Sequence, residues 1–510
     1  MSVTNLHPLY AKRVSQWKVI RDCVEGEDAI KDAGEAYLPK AKGTTPMQYE
    51  AYKRRARWNN YLAQNLDGLH GLIFRRNPII SEKNDELLHS GIFDNIDRRG
   101  TNLYQFLSDS VYDIMQTSFG GFLVDYPRAD GPMTLEDAEK NGIRPYLRYY
   151  PAESIINWGY KVINGVEQLA YVVLAEEIED MGIDDFAHKP ITQYRVLDCR
   201  EGFYMQRIFS PITEEGKETE FGVTDIPVMV NGKALDYIPF VMAPSRVPEK
   251  PMFYDLAKCN IGHYMKSADY ENGVHLTTIP TGYVTGHRQD VDPETGEKEV
   301  IHLGGDSFLM FPEENAKVGT LVFSGAGLTH SETALNQSLA DMAILGSRLL
   351  ASEKGVSESA DSAKIHRAGE NARLATFAKN VSEKITRAIR IIAEWQNMNT
   401  SVTVELCTDY DTLAFDPNAL NALSNLSTNE KLPLPALYWN LKNGEYLPQG
   451  MSFDTFAIML DLEKLGYSPM DQAKIYKALM NGDEINLKEQ PDMFKNKPVE
   501  DTEDNPPEEE

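Results

Sequence analysis

Asp409, Asp411 and Asp416 come nearest in this chain to a metal-ligand pattern, since closely spaced carboxylates are the hard oxygen donors that divalent cations prefer. No glutamate or histidine stands at a telling distance from them. A solvated loop is the commoner meaning of such a run, and a metal-dependent nucleic-acid-processing enzyme is the alternative. Ser324-Gly325-Ala326-Gly327 lacks the third glycine of a dinucleotide loop and has no parallel βαβ unit around it, so it reads as a turn before a helix. Gly216-Lys217 runs into Glu218 and Gly232-Lys233 into Ala234, neither with the glycine spacing that cradles a nucleotide phosphate. The ten histidines form no HExxH pair and Gly-x-Ser-x-Gly does not occur, which leaves a zinc hydrolase or a hydrolase elbow without support. No residue is therefore assigned a catalytic, cofactor or metal role.

Charge is the next feature that bears on chemistry. Against 51 basic residues stand 77 acidic ones, a net charge of −26. Such a surface repels nucleic acid, because phosphate contacts need Lys and Arg to displace counterions. It is compatible with a conduit whose wall keeps a polyanion sliding. One segment runs the other way. Between Ser362 and Asn397, Lys364, Arg367, Arg373, Lys379, Lys384, Arg387 and Arg390 outnumber Glu370, Glu383 and Glu394. Pairing with acidic neighbours is the usual fate of such a face, and contact with phosphates the other.

The elements that must position these groups follow from periodicity. Tyr10, Val14, Trp17, Arg21 and Val24 recur at helical steps, with Gly26 as a stop. Thr45, Pro46 and Gln48 open a second helix with a capping box, and its apolar side is read as continuous through Ile73 to a stop at Pro78. A third spans Asn102–Thr117 and leads into a strand over 120–127. From Arg144 to Ala243, short aromatic and β-branched runs (146–150, 168–175, 193–197 and 203–209) predict an antiparallel sheet of hairpins. Helix returns over Phe253–His275. The stretch Gly282–Glu299 reads as turns, with strands near 307–311 and 318–323. Thr329 and Glu332 predict a capping box for a helix buried through Leu335, Leu339, Met342, Leu345 and Leu349.

The longest predicted helix steps through Ile365, Ala368, Ala372, Ala375, Ala378, Val381, Ile385, Ala388, Ile392 and Trp395 without a proline. At about 54 Å it is longer than a small compact domain can contain, so it crosses between domains or lies along a subunit interface. A strand at 402–406 and a helical region over 417–487 follow. The fold class is α+β. Residues 500–510 hold seven carboxylates and two prolines and should be disordered. The four cysteines form no CxxC, the first residues lack a signal-peptide core, and no apolar run is long enough for a membrane helix, so a soluble protein of a reducing compartment is expected.

The order His7-Pro8-Leu9-Tyr10, Trp17, Arg21-Asp22, Gly26, Tyr37-Leu38-Pro39, Tyr49, Tyr52, Arg54-Arg55-Ala56 and Gly71-Leu72-Ile73-Phe74-Arg75-Arg76-Asn77-Pro78 resembles the start of tailed-bacteriophage portal proteins. Phe253–Gly282 is similar too, with Tyr264, Ser267, Ala268 and Asp269. The resemblance implies a wing over 1–250, a stem helix over 251–275, a clip over 276–318 and a return over 319–351. It then implies a tunnel loop over 352–362, a tunnel helix over 363–400, a crown over 401–492 and the acidic tail over 493–510. DNA-facing candidates are Ser352, Glu353, Lys354, Ser357, Glu358 and Ser359 on the loop and Lys364, Arg367 and Arg373 on the helix. The implied function is a non-enzymatic ring, a dodecamer at one capsid vertex of the virion, put together in the bacterial host cytoplasm. Its implied partners are the major capsid protein, the terminase, a head–tail adaptor and double-stranded DNA in passage, with no cofactor and no membrane.

Overall fold

The computed structural model describes residues 2–82, 86–127, 143–163, 165–180, 189–212, 220–230, 232–278, 281–286, 315–321, 325–346, 360–398, 401–408, 410, 432–443, 446–447, 451–464 and 473–477. Two compact units divide the chain, Met1–Tyr410 and Asp411–Glu510. The first unit opens with α1 (Pro8–Glu25), whose stop and successor both turn on Gly26. Its φ of 113° is a conformation that a side chain resists, so one glycine ends α1 and starts α2 (Glu27–Asp32). Next come α3 (Pro46–Arg55), α4 (Tyr61–Ile73), β1 (Ile79–Ser81), the single turn α5 (Glu86–His89) and α6 (Leu103–Thr117). The Thr45–Gln48 capping box is formed on α3, and Asn102 caps α6.

The continuous helix expected from Thr45 toward Pro78 is broken in two. Ala56 turns extended at ψ 137°, and Asn60 accepts from the Ala63 N–H to start α4 afresh. Trp58, in the break, is buried, and that burial rewards leaving the helix.

The sheets follow: β2 (Gly120–Asp125), β3 (Tyr146–Pro151), β4 (Ile155–Ile163), β5 (Val166–Asp180), β6 (Lys189–Asp198), β7 (Met205–Ile212), β8 (Glu220–Pro227), the small pair β9 (Met229–Val230) and β10 (Lys233–Ala234), and β11 (Phe240–Ala243). β4 to β8 form an antiparallel meander in chain order, as the hairpin reading expected, although β4 and β8 were not legible as strands. A separate sheet, β11-β2-β3, lies between two cores. Phe122, Val124, Leu147 and Val241 face the helices, while Leu123, Tyr150, Phe240 and Met242 face the meander. That is why β2 reads as an unbroken apolar run: both of its faces are covered. Gly121 lies under the ring of Phe240, where a Cβ has no room.

A buried polar cluster ties the two sheets together. The Glu176 carboxylate accepts from Tyr150 Oη at 2.5 Å, Gln193 Nε2 at 2.6 Å and Arg195 Nε at 2.9 Å, and pairs with Arg148 at 3.3 Å. Arg195 also donates to Gln206 Oε1, whose amide donates to Asp125. Burial would raise the Glu176 pKa, but Arg195 and Arg148 outweigh it and hold the carboxyl below its ordinary value.

The unit closes with α7 (Tyr254–Thr278), the hairpin β12 (Thr281–Thr285) and β13 (Lys317–Leu321), α8 (Leu328–Leu345), α9 (Ala360–Trp395) and β14 (Thr403–Glu405). Residues 282–285, expected as turns, pair with 317–320 instead. On α8 the capping box is not formed. Thr329 lies inside the helix, whose N-cap is Gly327 without a side-chain bond. Met342 is buried, but Leu345 is half exposed. Leu349 and the strand expected near 307–311 lie outside the described residues.

The 36 residues of α9 rise about 54 Å, and Ala378, Val381, Ile385, Ala388 and Ile392 are buried as expected. Its C-terminal half binds β14 by side chains. Ser382 Oγ accepts from Leu406 N at 3.0 Å, Thr386 Oγ1 accepts from Val404 N at 2.9 Å and donates to Val404 O, and Arg390 Nε donates to Val402 O at 2.9 Å. Val404, and Val402 and Leu406 on either side of β14, thus aim backbone groups at α9, and the pairs Ile79–Glu405 and Ser81–Thr403 are left to bond β1.

The second unit contains α10 (Leu434–Asn443) and α11 (Phe453–Lys464), packed through Leu437, Tyr438, Met451 and Phe456. The rest of the expected helical region over 417–487 lies mostly outside the described residues, as does the acidic tail. Among the described residues no helix is long and apolar enough to cross a membrane, and no disulfide is formed.

Candidate functional site

One face of α7 gathers the N-terminal segment onto itself. Asn260, Tyr264, Ser267, Ala268, Glu271 and Asn272 recur at three- and four-residue steps and so share that face. Asn260 Nδ2 donates to Asn59 O at 2.9 Å while its Oδ1 accepts from Leu62 N. Tyr264 is buried edge-on to Trp58 with ring centres 5.9 Å apart. Ser267 Oγ accepts from Arg57 N, Glu271 pairs with Arg57 at 2.8 Å, and Arg55 donates to Asn272. Beside them Tyr52 Oη donates to Asp269 at 2.6 Å. Burial raises the Tyr52 pKa, and donation to the Asp269 carboxylate raises it further. Burial likewise pushes the Tyr264 hydroxyl up to about 12. Neither tyrosine hydroxyl is poised to give up its proton near neutrality. The arrangement is a fastening of two chain segments.

The second feature is the exposed stripe of α9. Most of the helix is buried from Leu374 onward, leaving Arg373, Lys379, Arg387 and Arg390 exposed and Lys384 half-buried, with Glu383 and Glu394 among them. Among the described residues no ion pair joins any of the five, and Arg390 spends its Nε on Val402 O. Lys384 and Arg387 open into a cleft of about 490 Å³ with Tyr160, Glu167, Asp236 and Arg246 on its walls. Arg246 lies 4.3 Å above the Tyr160 ring and pairs with Glu167 at 2.9 Å. Sequence reasoning named the bases but missed this cleft, because Arg246 and Tyr160 are brought in by β4 and the segment after β11 with no signal in local spacing.

The loop candidates Ser352, Glu353, Lys354, Ser357, Glu358 and Ser359 lie outside the described residues. Residues 360–362, assigned to that loop, already belong to α9. Lys364 and Arg367 are on the helical backbone of the early turns of α9, and Arg373 is exposed farther along it. Asp409, Asp411 and Asp416 are outside the described residues, among which no group of three or more His, Cys, Asp or Glu is placed to hold a metal ion.

Residues 252–396, from α7 to the end of α9, match the family model Domain of unknown function (DUF4055). No curated protein matches the sequence. Among solved structures, the chain is similar at 11% identity to one from the neck of an empty gene transfer agent particle computed with C6 symmetry. That match covers 76% of this chain and 90% of the other, with a TM-score of 0.35. A chain from the virion of the native gene transfer agent particle is similar at 11% identity, over 79% of this chain and 94% of that one, with a TM-score of 0.32. A third, from the native neck computed with C12 symmetry, has 11% identity, coverage of 78% and 93%, and a TM-score of 0.29.

Proposed function

We propose that this chain is the subunit of a portal ring, the conduit through which double-stranded DNA enters and leaves a tailed-phage or phage-like capsid. The observation that carries this reading is the junction on α7. The two stretches that resemble portal proteins, 7–78 and 253–282, are far apart in sequence. They pack together through Tyr52–Asp269, Arg57–Ser267, Trp58–Tyr264 and Leu62–Asn260. Two segments that resemble one family at separate places, and that fasten to each other, support one inherited structural unit better than two accidents of composition.

In this reading the α1–β11 region is the wing, α7 the stem and the β12–β13 hairpin part of the clip. Residues 352–359 lead as the tunnel loop into α9, the second unit forms the crown, and terminase and a head–tail adaptor dock on the assembled ring. The net charge of −26 suits a wall that repels its cargo. The metal-dependent enzyme reading gains nothing from the described residues.

Negative-stain microscopy and mass photometry of the purified chain test the proposal. Rings with a central hole, of about twelve copies if the family pattern holds, are expected; heterologous contacts close in this way when the rotation per subunit allows it. Monomers and dimers alone across a wide concentration range, or metal-dependent nuclease activity, would overturn it. Deleting residues 353–360 should leave rings intact and impair DNA packaging or retention, so normal particle yield from that deletion removes the loop assignment.

A further inference from the structure

We propose that the basic stripe of α9 is one half of the contact between neighbouring copies of this chain. Its other half is the acidic corner made by the end of α1, α2 and the turn after it. This rests on the ring reading and adds to it the two faces that meet. The stripe holds five bases without an ion-pair partner among the described residues, in a protein that carries 26 more acids than bases. Exposed cations with no ion-pair partner among the described residues, in so acidic a protein, are available to the carboxylates of a neighbouring copy.

The complement is present on the same chain. Glu25, Glu27, Asp28, Asp32 and Glu35 are all exposed. Of these only Glu27 has an ion pair among the described residues, with Lys31 of its own helix. The two surfaces stand on separate elements: α2 is carried by α1, whereas α9 packs on β2, β3, β11 and β14. Unlike faces on separate elements are what a head-to-tail contact needs, because each copy then offers its acidic corner to one neighbour and its stripe to the other.

A DNA duplex fits the stripe less well. Glu383 and Glu394 interrupt it, whereas a phosphate track favours uninterrupted cations. Lys384 and Arg387 reach into a cleft of about 490 Å³, which has room for a side chain and not for a double helix. Exposed ion pairs contribute little each, so the contact would set which faces meet and in what register, with apolar burial elsewhere holding the ring.

The experiment uses the full chain in three variants: Lys384→Glu with Arg387→Glu, Asp28→Lys with Asp32→Lys, and all four together. Mass photometry over a concentration series at low and high salt gives the half-assembly concentration, and circular dichroism checks folding. Each reversal pair should raise that concentration about tenfold, and high salt should weaken wild-type assembly. The fourfold variant, with the charges exchanged, should recover most of the loss. Should a reversal pair fail to fold, Lys384→Gln with Arg387→Gln replaces it, with a smaller shift in the same direction. Rings that form equally well in the reversal variants overturn the inference and leave the ring reading standing. So does a fourfold variant no better than the worse pair, or a loss of duplex binding with assembly unchanged. A wild-type chain that never assembles overturns both.

Discussion

Glu176 is a buried carboxylate with 1% of its side chain exposed, satisfied by Tyr150, Gln193, Arg195 and Arg148. Glu176→Ala strands the half of the pair that stays behind, and should destabilise the first unit by about 3–5 kcal/mol in urea denaturation. Its pH dependence has a definite sign. The folded pKa is depressed, so the carboxylate's contribution is complete above the unfolded value of about 4.5 and is lost as pH falls through the folded value. Denaturation of wild type and Glu176→Ala should therefore differ less at pH 3 than at pH 7, and an equal difference at both would contradict it. Tyr264 gives the opposite case. Its buried hydroxyl has no hydrogen-bond partner among the described residues. Tyr264→Phe should accordingly be neutral or stabilising by up to about 1 kcal/mol, and a clear loss would mean that the hydroxyl is used. Sequence reading had singled out Tyr264, Ser267, Ala268 and Asp269, and all four lie at the α7 junction. It had not found Asn59, Asn260 or Asn272, because bonds between distant segments, from Asn260 to the Asn59 carbonyl and from Arg55 to Asn272, leave no periodic trace.

Helices were legible where local chemistry decided them. His7, Thr45 and Asn102 cap the helices that begin after them, and Gly26 ends α1. The reading failed where a distant partner decided. The break between α3 and α4 exists because Trp58 has Tyr264 to pack against, and β4 and β8 are strands because neighbours complete their hydrogen bonds. The Thr329–Glu332 pattern was satisfied in sequence yet lies within α8, since helix formation runs on from the 3-10 turn at Gly325–Gly327 before it. At this scale Thr386 is the informative target. Thr386→Val keeps the shape but removes the group that serves both Val404 N and Val404 O, leaving two buried backbone groups unmet. A loss of about 1–3 kcal/mol is expected, while Thr386→Ser should cost much less. A loss from Thr386→Ser as large as that from Thr386→Val would show that the packing of the methyl group matters as much as the hydroxyl's hydrogen bonds.

The division at Tyr410 predicts that residues 1–410 fold alone. Both cores of the first unit, and α9 with its strand, fall inside that boundary. Thermal unfolding of the fragment should reproduce the main transition of the full chain, and a transition lowered by more than a few degrees would show that the second unit supports the first. α9 has a mechanical consequence for whatever assembly it serves. Ser382, Thr386 and Arg390 are spaced about 6 Å apart along a helix, and Leu406, Val404 and Val402 about 6.7 Å apart along a strand. The two rulers agree over three rungs and drift out of step beyond them, like a vernier. A one-residue screw of α9 would swing all three side chains off the strand together by about 100°. The C-terminal half of the helix is thus latched against both sliding and rotation, and a push on its N-terminal half must be taken up as bending ahead of Ser382.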